Sequence, residues 1–154
     1  MADKPFIISG GGIGGLATAL GLSRVGHSSI VLEQSDRLGE IGAGIQIAPN
    51  AFNCFDYLGV GNEMRKEAVY IDRLRLMDAL TGDEICHIPL DIGFRERFGN
   101  PYAVVHRADL HSVLLEACKA IGLIELRTSH PVTGYHQESG TVTVRILDKQ
   151  DLKG

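Results

Sequence analysis

The sequence contains no tryptophan and only three cysteines, Cys54, Cys86 and Cys118. Odd in number, far apart and without a C-x-x-C pair, they argue against a disulfide framework or a thiolate metal site and read as reduced, packed thiols. Long apolar runs are also missing. Asp3 and Lys4 precede only Phe6-Ile7-Ile8, too brief for a signal-peptide core or a membrane span, so no membrane partner is expected and a cytoplasmic location is the default. There is no basic block: 15 Lys and Arg against 19 Asp and Glu, scattered along the chain, give a net charge of -4, which does not suit nucleic acid. The six histidines show no metal spacing, and His106 and His111 read as ordinary polar residues. With 154 residues, 44% of them hydrophobic, the chain holds one domain, or one and a part.

Glycine, by contrast, is plentiful. Many of the 19 glycines fall between Gly10 and Gly44, where backbone is being asked to approach something closely.

The hydrophobic pattern predicts a strand over residues 5–9, a glycine turn over 10–15 and a helix over 13–25. In that helix Ile13, Leu16, Ala17 and Leu20 share a stripe, Gly26 is its stop, and a buried strand follows over 29–33. This is a βαβ unit with a right-handed crossover. Residues 35–49 hold no period and read as a long ordered loop. Asn50 then caps a short helix ending near Gly59, and a second helix runs over 61–67. A hairpin with one wetted face is expected from 71–77 and 85–90 around Thr81-Gly82-Asp83. A strand at 102–106 leads to a helix over 108–121 with Leu110, Val113, Leu114 and Ala117 inward, a third parallel strand at 124–128, and a β-meander from 132–136 and 142–147. Residues 148–154 look polar and turn-like. The fold class is α/β: a Rossmann-like domain with a hairpin excursion and a meander. Its organisation is 1–70 as the first part, 71–106 as a β-rich excursion towards a substrate region, and 107–154 as the return. The parallel sheet has few strands by Gly154, so an interrupted domain is expected.

Gly10, Gly12 and Gly15 satisfy G-x-G-x-x-G between a strand and a helix. The first serves the tight turn, the second the approach of a diphosphate, the third helix–sheet packing, with Ala19 keeping the same helix face small. The helix N-terminus then binds the diphosphate through backbone N–H groups. Glu33, ending the second strand, is placed to accept from ribose hydroxyls and would repel a 2′-phosphate. These features allow NAD or FAD. The glycine-studded loop, two helices and hairpin before the third parallel strand favour flavin.

Gly10-Gly11-Gly12-Ile13-Gly14-Gly15-Leu16 with Ala19, Val31-Leu32-Glu33-Gln34, Gly42-Ala43-Gly44-Ile45-Gln46 through Pro49-Asn50-Ala51, and His106-Arg107-Ala108-Asp109-Leu110 together resemble the class A flavoprotein aromatic hydroxylases. The likeness is greatest to the branch acting on salicylate and 3-hydroxybenzoate, and the run over 97–107 leans to the latter. The resemblance spans essentially the whole chain. It implies FAD as cofactor, NADH or NADPH as electron donor, and O2 with a small phenolic acid as reactants, in a protein that forms a homodimer when full length. Carried over, Gly14 and its neighbours Gly10, Gly12, Ile13 and Gly15 meet the pyrophosphate, Glu33 and Gln34 the adenosine, and Gly44, Ile45 and Gln46 the flavin side. Arg107 lies by the phosphate and ribityl region, where a permanently charged fork of donors suits, and Val132 packs its backbone by the adenine. The family's later Asp-Gly and Gly-Asp pairs are absent from this stretch, and no catalytic residue is named. The alternative is the cofactor-binding module of an epoxidase- or oxidase-type flavoprotein.

Overall fold

A computed structural model describes residues 4–39 and 42–154. Asp3, and Glu40 and Ile41 within the loop expected over 35–49, lie outside the described residues. The chain begins with β1 (Phe6–Ser9), α1 (Ile13–Arg24) and β2 (Ser29–Leu32), then β3 (Gly44–Ile47), α2 (Pro49–Leu58), α3 (Gly61–Glu67) and β4 (Val69–Tyr70). The hairpin β5 (Arg73–Met77) and β6 (Glu84–Pro89) precedes α4 (Ile92–Phe98) and β7 (Ala103–His106). After these come α5 (Arg107–Lys119), β8 (Ile124–Arg127), β9 (Val132–Glu138), β10 (Thr141–Ile146) and β11 (Leu152–Lys153). Two compact units result, one from the described residues up to Gly39 with Leu110–Gly154, the other Gly42–Asp109.

In the first unit, β1, β2 and β8 make the expected parallel sheet, with Ile7 beside Ile30 and Val31 beside Leu126. All four residues of β2 are buried, as a central parallel strand covered on both faces requires. One cover is the meander: Ile30 and Leu32 pack with Val144 and Ile146 of β10. α1 buries Leu16, Ala19 and Leu20. The inward stripe of α5 is Leu110, His111, Leu114, Leu115 and Cys118, one position round from the stripe expected through Val113 and Ala117. The tail read as turn-like contains β11, whose Leu152 pairs with Val144.

In the second unit, the stretch expected to be loop contains β3, antiparallel to β7 with Ile45 opposite Val105. Partner pairing creates this strand, since its glycine and polar content give no period of its own. Asn50 is not a cap. α2 starts at Pro49 with Ala48 in the capping position and no side-chain cap bond, because proline's fixed φ and missing N–H suit a first helical position. Gly59 ends the helix at φ +82° as expected. α4 was not anticipated: Asp91 Oδ1 accepts from Gly93 N at 3.1 Å, and Gly99, at φ +76°, closes the helix after two turns. The hairpin differs too, for every residue of β6 is exposed, so both its faces are open rather than one. Phe52 and Met64 are fully buried in the α2–α3 pair. Arg65 braces that pair, its Nη2 2.8 Å from Asp56 Oδ2 and 3.0 Å from Asn100 Oδ1.

Of the three thiols only Cys118 is buried; Cys54 and Cys86 are exposed, which corrects the expectation that all three are packed. Among the described residues no helix is long and apolar enough to cross a membrane, and no three His, Cys, Asp or Glu side chains are grouped to hold a metal.

Candidate functional site

The turn between β1 and α1 is built as its glycines demand. Gly10 takes φ +106°, a region costly for any residue with a Cβ, and donates its N–H to Leu32 O at 2.7 Å, which ties the turn to the end of β2. Gly15 was assigned to helix–sheet packing, but a Cβ there would first strike the Gly10 carbonyl oxygen at 1.9 Å and only then the Ile8 side chain at 3.4 Å. Its main service is to close the turn on itself. Gly14 is exposed, and a Cβ on it would meet nothing within 4 Å. α1 opens at Gly12 with no side-chain cap and no acidic residue in the first turn. Neither a capping side chain nor a first-turn acid therefore takes up the amides of Ile13, Gly14 and Gly15, and a twelve-residue helix dipole adds positive potential.

Glu33 points at the turn. Its Oε2 accepts from Gly11 N at 2.8 Å and its Oε1 from Ser35 N at 2.9 Å. Partial burial pushes this carboxyl up, but the N–H groups of Ser35, Gly11 and Gln34 with the Ser35 hydroxyl outweigh it and hold the pKa below the ordinary 4.5. The two short bonds, from Gly11 N and Ser35 N, fall one on each carboxylate oxygen, and the side chain lines the cleft beside the turn. The next segment is laced back onto this one: Ser129 N donates to Ser35 O and His130 N to Glu33 O, both at 2.8 Å. That lacing brings Val132 to the site. Gly10, Glu33, Gln34, His130 and Val132 accordingly line one small polar cleft of about 210 Å³. A larger cleft of about 500 Å³, mostly apolar, runs between β1 and the meander and shares Ser9 and Val132 with it, but contains neither the glycines of the turn nor Glu33. The smaller cleft is the candidate, because it holds the polar groups that fix a ligand's orientation.

Gly44, Ile45, Gln46 and Arg107 belong to the second unit and cluster there. Gly44 and Gln46 are exposed on β3, and Gln46 Oε1 accepts from the Tyr102 hydroxyl at 2.6 Å. Arg107 N donates to Ala43 O at 3.3 Å, and the aliphatic stem of Arg107 lies where a Cβ on Gly42 would stand, 3.0 Å from Cδ. Gly42 thus gives the arginine its bed. His106 Nδ1 accepts from Ala108 N at 3.3 Å and helps start α5.

One residue was underrated. His111 is 2% exposed, and its Nε2 is 2.8 Å from the carbonyl oxygen of Gly11. The available signal was its place on the buried stripe with Leu114 and Cys118, since a polar side chain on an inner face needs a partner.

Residues 3–153 match the family described as FAD binding domain. The chain is 51% identical over 148 residues to 3-hydroxybenzoate 6-hydroxylase 1 of Aquipseudomonas alcaligenes, a match covering 96% of this chain and 38% of that protein. It is 52% identical over 143 residues to 3-hydroxybenzoate 6-hydroxylase of Polaromonas naphthalenivorans (strain CJ2), covering 93% and 36% respectively. Among solved structures, Klebsiella pneumoniae HpxO complexed with FAD and uric acid superposes with a TM-score of 0.85 at 27% identity, over 99% of this chain and 38% of that one. The chain thus spans well under half the length of the relatives it matches.

Proposed function

The chain belongs to the FAD-binding domain family, and on that premise we propose that it holds FAD for an NADH- or NADPH-dependent hydroxylation of a phenolic aromatic acid by O2. The names of these two similar relatives support 3-hydroxybenzoate as the acid, with salicylate the nearest variant. The observation that carries the reading is the Glu33 carboxylate, hydrogen-bonded to Gly11 N of the turn and lining the cleft shared with Gln34 and Val132. In this reading the cleft takes the adenosine, its ribose diol on Glu33 and its base beside Gln34 and the backbone of Val132. The diphosphate lies on the amides of Gly12, Ile13, Gly14 and Gly15, which need no lysine because the backbone and helix dipole supply the positive field. Gly44, Ile45 and Gln46 face the flavin end, and Arg107 gives charged donors to the phosphate and ribityl region. Residues 71–106 reach towards the substrate-binding part. When bound, FAD would supply the electron transfer from nicotinamide to oxygen, while the protein binds, orients and excludes water.

Two measurements test this. FAD titration of the full-length flavoprotein, followed by flavin fluorescence, should show saturable binding, loosened by about 1–3 kcal/mol in Glu33→Ala through a lost charge-assisted bond. In the full-length flavoprotein, 3-hydroxybenzoate should stimulate NADH or NADPH oxidation and yield a dihydroxylated acid. Oxidation indifferent to every hydroxybenzoate tried would remove the substrate assignment, and unchanged FAD affinity in Glu33→Ala would remove the carboxylate from the site.

A further inference from the structure

We propose that His111 is a positioning residue for the cofactor: from the buried face of α5 it anchors the Gly11 carbonyl and so aims the following amides at the diphosphate. The inference rests on the FAD reading above and deepens it. A carbonyl oxygen only accepts, so the Nε2 atom 2.8 Å from Gly11 O must carry the proton. Gly11 is itself buried, and its own N–H is taken by Glu33 Oε2 at 2.8 Å. The two peptide planes that meet at Gly11 are therefore each held by a side chain, one 22 and the other 100 residues along the sequence. A Cβ at position 11 would lie 2.2 Å from Leu38 Cδ2 and 3.2 Å from Glu33 Cβ, so the leucine side chain would have to swing aside to admit one.

The geometric consequence follows from the planarity of the peptide. The carbonyl of Gly11 and the N–H of Gly12 share one trans peptide and point in opposite directions. Fixing that carbonyl on a buried ring turns the Gly12 N–H away from the ring, out of the core. Without the imidazole the carbonyl would be unpaired in a buried setting, which costs free energy unless it finds water. The cheapest relief is rotation of the 11–12 peptide outward, which would present an oxygen where an anion is to bind. His111 thus acts on the ligand only through the backbone of Gly11.

The test is titration of the chain with FAD and, separately, with ADP, which carries only the adenosine and diphosphate. His111→Leu removes the donor, His111→Gln retains an N–H at similar reach, and Cys118→Ala is a packing control on the same helix face, where Cys118 is fully buried. The expected result is a loss of roughly tenfold or more in both affinities for His111→Leu, at a temperature where every variant is folded, with recovery to within about threefold for His111→Gln. Cys118→Ala should lower the ligand-free melting temperature and leave both affinities alone. Should the leucine variant not fold, His111→Asn, too short to reach the carbonyl, takes its place. The proposal is overturned if His111→Leu binds as the parent does, if His111→Gln is as weak as the leucine variant, or if Cys118→Ala weakens binding equally. A parent chain that binds neither FAD nor ADP would instead defeat the FAD reading itself.

Discussion

Gly14 and Gly15 are neighbours in the first turn of α1, yet a methyl group on each should do opposite things to the ligand-free fold. At Gly15 the added carbon would sit 1.9 Å from the Gly10 carbonyl oxygen, so the two must separate by roughly 1.5 Å to reach ordinary contact. The atom struck is backbone and cannot swing aside, which puts the cost towards the upper part of the usual 1–3 kcal/mol for overpacking. Alanine's better helix propensity offsets at most about 1 kcal/mol of that. Gly15→Ala should therefore lose about 1–2 kcal/mol, or roughly 2–8 °C in melting temperature for a chain of this size. At Gly14 nothing lies within 4 Å of the added carbon, so stability should be unchanged or rise by up to about 1 kcal/mol. FAD affinity should nevertheless fall in Gly14→Ala, because the open space is where the diphosphate is proposed to lie. Ligand-free thermal denaturation and flavin fluorescence titration separate the two effects. The reasoning is refuted if Gly15→Ala melts at or above the parent, or if Gly14→Ala binds FAD with undiminished affinity.

Other outcomes follow from the same geometry. Since the Glu33 pKa is lowered in the fold, its contribution is present above the unfolded value of 4.5 and is lost as pH falls through the lower folded value; Glu33→Gln should flatten that acid limb in a stability–pH profile. Cys54 and Cys86 are exposed, whereas burial pushes the Cys118 thiol up to about 11; a thiol-reactive dye at neutral pH should therefore label two cysteines in the native chain and three after unfolding. Arg65 stacks 5.3 Å over Phe52 and pairs with Asp56 while both side chains stay partly exposed, at 31% and 46%. Arg65→Met should cost about 1 kcal/mol in denaturant unfolding and leave ADP affinity within about twofold.

What could be read from the sequence was whatever local chemistry dictates. Gly10, Gly12 and Gly15 announce a turn, which Gly10 serves by its positive φ and Gly15 by its close approach to the Gly10 carbonyl, and the unbroken run Ile30-Val31-Leu32 announces a central parallel strand because both its faces are covered. Glu33 was legible as a strand-end acid, though not the N–H groups that hold it. β3 was hidden because its pairing partner lies some 60 residues away on β7, and α4 because a seven-residue helix held by one aspartate cap leaves little periodicity. Asn50 misled because asparagine is a good cap, while Pro49 beside it outranks it as a helix opener. His111 stayed obscure for a different reason: its role depends on a backbone carbonyl, and carbonyls have no letter in a sequence.

Titration of the isotopically labelled chain with FAD, followed by amide resonances, addresses the central claim most directly. Diphosphate lying on the turn should move the signals of Gly12, Ile13, Gly14 and Gly15 most, with those of Glu33, Gln34 and Val132 moving at the same ligand concentration. Saturable binding that leaves the 12–15 amides unmoved while signals elsewhere shift would contradict it.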